Sequence, residues 1–196
     1  MGKRLLLLTA ALLLVSCGGT VAVPTPAPTP DIAPEEAAVY AAAIQAYLGG
    51  APDPLVLADQ TALDISRDVT ETLDYVTQKL TGTDPATLAN FQARNDRAQP
   101  LSPDLALPFR YVLLTDTEQQ SFFQPDAGGW DAFYQRYPKA QGIMRLSRVG
   151  FNADMTQALV YVGNQSHYLA GAGYYFLLAK KGGTWRVVDK VMTWIS

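Results

Sequence analysis

Residues 158–195 read ALVYVGNQSHYLAGAGYYFLLAKKGGTWRVVDKVMTWI, and this stretch decides the fold. Three runs in and around it, at about 157–163, 172–180 and 184–195, are rich in β-branched and aromatic residues and predict strands. Between the last two runs, Lys181-Gly182-Gly183 has the composition of a tight hairpin turn. Apolar residues fall on one side of the last run with a period of two, as in a strand that packs against a core. Together with a run at about 142–151 just before it, the stretch therefore predicts an antiparallel meander of four strands.

The residues upstream of the meander predict helices and a few further strands. Apolar stripes with capping and stop signals predict helices at about 35–48, 68–82, 84–91 and 130–137, and short apolar runs predict strands at about 55–57, 109–115 and 142–151. Helices first and a meander last indicate an α+β domain, with N-terminal helices packed on one face of a curved antiparallel sheet. Cystatin-like and NTF2-like folds share this architecture.

The N-terminal residues Met1–Ser16 have the features of a secretory signal. Their apolar core is eleven residues long, whereas a membrane-spanning helix needs about 20. The segment ends in Leu14-Val15-Ser16-Cys17, and this lipobox resembles that of bacterial lipoproteins. The resemblance implies cleavage before Cys17, a lipid on its thiol, and export to a site on the cell membrane or outer membrane, with the domain in the periplasm or outside the cell.

The segment after Cys17 predicts a spacer. Residues 18–30 read GGTVAVPTPAPTP, and alternating proline favours extended polyproline II structure that builds no core. Residues 17–30 are therefore interpreted as the lipidated cysteine with its tether, and residues 31–196 as a single globular domain.

The charge and the cysteine count exclude several classes of function. Without residues 1–16 the chain would carry 13 basic and 18 acidic residues, a net charge of −5, and a nucleic-acid partner would require a basic face. Cys17 is the only cysteine in the chain, so neither an internal disulfide nor a thiolate metal site is expected. No motif for a cofactor or metal is recognised, and none is predicted.

The C-terminal third resembles a group of bacterial exported proteins and lipoproteins whose function is uncharacterised. The resemblance rests on a series of short segments: LSRVGFN (146–152), ALVYVGN (158–164), GAGYY (171–175), Trp185 and WIS (194–196). It implies no catalytic role.

Four residues are candidates for ligand binding. Tyr161 and Tyr174 belong to an aromatic-rich sheet, where rings lining a concave face would bind apolar or sugar-like ligands. His167, the only histidine, is a candidate for the rim of such a site. Arg148 stands with Arg145 in an otherwise apolar strand, and a buried arginine needs a partner, for which Asp189 or a ligand anion is suggested.

Three classes of function remain open from the sequence, one of them a purely structural or assembly role for the tethered domain. Because signatures for nucleophiles and metals are missing, we expect a non-catalytic domain that binds a small ligand or an envelope protein, with no catalytic residue assigned. The alternative is an envelope hydrolase, which needs only two carboxylates about 5–9 Å apart. The pairs Asp116/Glu118 and Asp126/Asp131 are available for it.

Overall fold

The computed structural model describes residues 32–62 and 69–196, so the predicted signal, Cys17 and the tether lie outside the described residues. Within the described ranges the helices are α1 (Ile32–Leu48), α2 (Val69–Lys79), α3 (Pro85–Arg94), α4 (Asp116–Phe122) and α5 (Gly129–Arg136). The strands in the same ranges are β1 (Leu55–Ala58), β2 (Tyr111–Leu114), β3 (Ile143–Leu146), β4 (Gly150–Phe151), β5 (Gln157–His167), β6 (Ala170–Lys181) and β7 (Thr184–Ile195).

All the described strands belong to one sheet in the order β2-β1-β3-β5-β6-β7, with β4 paired to the start of β5. The strands β5, β6 and β7 form the predicted antiparallel meander, and β3 joins β5 antiparallel. Strand β1 pairs in parallel with both β2 and β3, because the helices inserted after β1 and after β2 return the chain to the same end of the sheet. The predicted α+β class and the mostly antiparallel sheet are confirmed.

Helices cover both faces of this sheet, whereas the sequence pattern indicated one covered face. Helix α1 packs on the face that presents Met144 and Val160. Helices α2 and α3 pack on the opposite face against Leu159 and Leu177, and α5 covers Ile143 on that same face. A strand covered on both sides loses the alternation of apolar and polar residues, and β5 is buried without interruption from residue 158 to residue 164.

The predicted turns form as the composition of the chain suggests. Gly49 ends α1 with a φ of 72°, and Gly182 and Gly183 connect β6 to β7 with φ values of 56° and 78°. Positive φ at both central residues is the geometry of a type I′ hairpin turn. At the start of α3, the Asp84 side chain accepts a hydrogen bond from the Ala86 amide at 2.8 Å.

The predicted strand at 142–151 is wrong as one continuous strand, because residues 147–149 leave the ladder between β3 and β4. Asn95 at the end of α3 replaces the missing sheet partner: its side chain accepts from the Arg148 amide at 2.8 Å and donates to the Arg148 carbonyl at 3.0 Å. Helix α4 is a second difference from the sequence interpretation, which left its residues unassigned. Among the described helices, none has the length and apolarity required to cross a bilayer.

Candidate functional site

Tyr161 and Tyr174, two of the predicted binding residues, lie on opposite faces of the sheet. Tyr161 is buried on the α2–α3 face, and its hydroxyl accepts a hydrogen bond from Trp194 Nε1 at 2.7 Å. Tyr174 is half-buried on the α1 face, where it contacts Tyr47 edge to face with ring centroids 5.6 Å apart. The two rings therefore do not line a common pocket.

Arg148 is held inside the fold by Glu36, and not by the suggested Asp189. The Arg148 guanidinium lies 2.6 Å from Glu36 Oε2, and Arg94 approaches the same carboxylate at 3.4 Å. Tyr40 is buried beside this group and donates to Glu36 Oε1 at 3.1 Å; burial, reinforced by the charge of Glu36, raises its pKa well above the usual value. The ion pair with Glu36 therefore gives Arg148 a role in stabilising the fold.

His167 lies at the tip of the β5–β6 hairpin, next to aromatic residues of α5. Its ring is stacked on Trp130, with centroids 6.4 Å apart and planes 23° from parallel, and it contacts Tyr168 edge to face. Of the four predicted binding residues, His167 is the one that lies beside a cavity lined by aromatic side chains.

This cavity, called here the Arg145 pocket, has a volume of about 180 Å³. Helices α4 and α5, strand β3 and the end of the β5–β6 hairpin each contribute side chains to it. The lining residues are Gln119, Phe123, Trp130, Ile143, Arg145, Gln165 and Tyr168. Residues from four separate parts of the chain thus meet on the sheet face opposite α1.

Arg145 supplies the positive charge of the pocket. It follows Ile143 by two positions on β3, so both side chains project from the same face of the sheet. Its guanidinium donates a hydrogen bond to Gln119 Oε1 at 3.0 Å, and it forms no ion pair within the described part of the chain. Its cross-strand neighbour on β5 is Gly163, where a side chain would collide with the Tyr161 hydroxyl.

Three rings form the apolar walls of the pocket. Phe123 meets Trp130 edge to face at 5.2 Å and Tyr168 at 6.3 Å, measured between ring centroids. The Tyr168 hydroxyl lies over Gly129, which has a φ of 59°, and a side chain at that position would collide with the hydroxyl. A glycine at the start of α5 therefore lets the hairpin approach the pocket closely.

The acidic residues considered for hydrolysis lie outside the pocket lining. Glu118 accepts a hydrogen bond from the Tyr137 hydroxyl at 2.8 Å, and Asp116, Asp126 and Asp131 are exposed. In residues 32–62 and 69–196, no group of three or more histidine, cysteine, aspartate or glutamate side chains is arranged to hold a metal ion. A guanidinium among rings and amides is suited to binding an anion and provides no general base.

The sequence indicated only some of the residues that line the Arg145 pocket. Arg145 stood out as a charge in an apolar strand, whereas Gln119 lies on the unpredicted α4 and Phe123 directly follows that helix. No family model matches the chain, and no curated protein or solved structure matches it significantly. Inferences about function therefore depend on the sequence and on the geometry of the site.

Proposed function

We propose that this chain is a lipid-anchored protein of the bacterial envelope whose domain binds a small anionic ligand in the Arg145 pocket without transforming it. The observation that carries the proposal is the Arg145 guanidinium, which lies in a cavity walled by rings and has an amide oxygen as its partner among the described residues. A partly buried charge that lacks a counter-ion is stabilised when a ligand supplies one.

The donors available at Arg145 favour a carboxylate or a similar planar anion. A guanidinium carries five N–H groups in a fixed fork, and the described contacts use one of them on Gln119. Two of the remaining donors can contact both oxygens of one carboxylate, and such charge-assisted pairs are about twice as strong as neutral hydrogen bonds. The Gln119 amide has N–H donors of its own beside the guanidinium.

The size and walls of the pocket limit the body of the ligand. Cavities that hold drug-sized molecules measure about 300–1,000 Å³, and the Arg145 pocket measures about 180 Å³. A ligand with one ring or a short apolar chain is therefore the expected size. Phe123, Trp130 and Tyr168 offer ring faces and edges to such a body.

The absence of catalysis is part of the proposal and is supported by the composition of the lining. The residues that line the pocket include neither an acid nor a nucleophile of the cysteine, serine or lysine type. The lipid anchor is supported by the sequence of residues 1–30: a signal, a lipobox cysteine and a proline-rich tether.

The test uses the full-length chain in mild detergent with benzoate as the probe and benzamide as its neutral analogue. We expect saturable binding of benzoate by calorimetry or NMR, weakened about 10-fold or more in Arg145→Gln, because a hydrogen bond to a charged group contributes about 1.5–3 kcal/mol. Arg186→Gln, an exposed change on β7, is the matched control and should bind as the parent does. Equal affinity for benzoate and benzamide, or for the parent and Arg145→Gln, would contradict the proposal.

A further inference from the structure

The free edge of β2 is the second surface in the described residues with a distinctive chemistry. Strand β2 is the outermost strand on its side of the sheet and pairs with β1 alone. On the side facing β1, the carbonyl of Arg110, just before β2, accepts a hydrogen bond from the Leu55 amide. The Leu114 carbonyl accepts one from the amide of Asp59, just after β1. Because peptide groups alternate in direction along a strand, the N–H and C=O groups of Tyr111 and Leu113 point away from the sheet.

A groove lies at the start of β2, between Pro54, the first residues of β2 and the end of α5. It measures about 380 Å³ and lies on the sheet face opposite α1. Its apolar floor includes Val112 and Tyr137, and its cationic rim consists of Arg110, Arg136 and Lys139. The open strand edge and the groove thus share Tyr111, which lines the groove and has its backbone N–H and C=O on the free edge.

The charges around the groove are unbalanced. Arg110 forms an exposed ion pair with Asp53 at 2.7 Å. Arg136 and Lys139 have no ion pair with any residue of the described ranges, although Arg136 also lies over the Tyr137 ring at 5.8 Å. Asp53 balances the charge of Arg110, so Arg136 and Lys139 are the two cations that give the groove a local positive potential, in a chain whose net charge is −3.

We infer that this groove docks an extended, acidic segment of a partner protein, which adds to the sheet as a strand beside β2. Backbone groups of the segment would pair with Tyr111 and Leu113, and its carboxylates would face Arg136 and Lys139. At about 3.4 Å per residue, the four residues of β2 accommodate a segment of roughly four or five residues. The inference is independent of the Arg145 pocket, to which α5 contributes Trp130 near its other end.

The probe is the peptide acetyl-(Glu-Val)₃-amide, added to the full-length chain in mild detergent at low ionic strength. We expect saturable binding, slower hydrogen exchange at the Tyr111 and Leu113 amides, and weaker binding as salt is added. Reversing two charges in Arg136→Glu/Lys139→Glu should weaken binding by at least 10-fold. As the control, reversing two exposed charges beside the β6–β7 turn, in Lys181→Glu/Arg186→Glu, should change the affinity for the peptide by no more than about 2-fold.

Backbone pairing is separated from simple charge attraction by a peptide of the same sequence with every residue amide N-methylated. Loss of binding by the methylated peptide supports strand addition, whereas equal binding of both peptides overturns it. Failure of the unmodified peptide to bind also overturns the inference. In that case the oligomeric state of Arg136→Gln/Lys139→Gln shows what the cations do. Self-association of this variant would mean that the cations keep the strand edge from pairing with a second copy of the chain, and that the docking role is wrong.

Discussion

Glu36 is the residue at which α1, α3 and the break between β3 and β4 converge. Its carboxylate is 5% exposed, lies 2.6 Å from the Arg148 guanidinium, and accepts a hydrogen bond from the Val149 amide at 2.9 Å. We expect Glu36→Gln to lower the free energy of unfolding by about 3 kcal/mol, because it leaves two partly buried guanidiniums without their counter-charge. Urea unfolding of the parent and the variant measures this loss.

The neighbouring residue offers a matched control for that change. Glu35 forms an ion pair with Lys180 at 2.6 Å, but both side chains are about a quarter exposed. Partly solvated pairs contribute at most about 1 kcal/mol, so Glu35→Gln should cost much less than Glu36→Gln. Equal losses in the two variants would show that the contacts around Glu36 add no special stability.

The Glu35 pair also predicts a dependence of stability on pH. The Lys180 ammonium and the Trp185 indole N–H both bond the carboxylate, and they hold the pKa of Glu35 below its usual value of 4.5. Since the unfolded state binds the proton more readily, this stabilisation is complete above about pH 4.5 and is lost as the pH falls through the lower, folded value. The difference in unfolding free energy between the parent and Glu35→Gln should therefore shrink between pH 6 and pH 3.5. A difference that grows on acidification would contradict the assignment.

Strand β4 depends on a close approach of α3, and Gly150 makes that approach possible. A side-chain carbon at position 150 would lie 2.5 Å from Phe91 Cα and 2.6 Å from its backbone nitrogen, both too close to be accommodated without moving α3. We expect Gly150→Ala to lower the free energy of unfolding by about 1–3 kcal/mol, the usual cost of overpacking. Gly50→Ala is the control, because position 50 has open space around it. Similar unfolding midpoints for the two alanine variants would show that α3 can shift freely.

At the scale of whole elements, the sequence predicted those that local signals define. Gly49 and the Asp84-Pro85 pair marked helix ends that the structure contains, and the Lys181-Gly182-Gly183 turn lies where composition placed it. The break after β3 was missed because it depends on a side chain distant in sequence: Asn95 supplies hydrogen bonds that a neighbouring strand would otherwise make. Local periodicity contains no information on such a partner.

At the scale of the molecule, the α+β class followed from the order of helices and strands, but the Arg145 pocket did not. The pocket requires β1 and β2 to extend the sheet in parallel and α4 and α5 to cover that extension, and both are tertiary outcomes. Because helices cover both faces of the sheet, two of the predicted binding residues are packed in separate layers and do not share a pocket. Tyr161 is buried in the core layer beneath α2 and α3, and Tyr174 is half-buried in the opposite layer beneath α1.

The two ends of the domain have different neighbours. Glu35, in the first turn of α1, contacts Lys180 at the β6–β7 end of the sheet, whereas Tyr47, in the last turn, donates to the Ala172 carbonyl near the β5–β6 hairpin. The proposed tether joins the domain before α1, and the Arg145 pocket lies towards the β5–β6 hairpin. The twelve residues of β6 separate these two ends of the sheet by about 40 Å, so the Arg145 pocket lies far from the start of α1.

The lipid anchor is tested at Cys17, which lies outside the described residues. Because Cys17 is the only cysteine, an alkyne fatty acid fed to expressing bacteria can label the mature chain through that residue, on its thiol or on the amino group freed by cleavage. We expect the parent to take up the label and fractionate with membranes, and Cys17→Ser to lose both properties. A diacylglyceryl group supplies two chains, enough for stable anchoring, whereas one chain would bind reversibly. Ser16→Ala keeps a small residue before the cysteine and should be labelled as the parent is; a labelled Cys17→Ser chain, or an unlabelled parent, would contradict the proposed anchor.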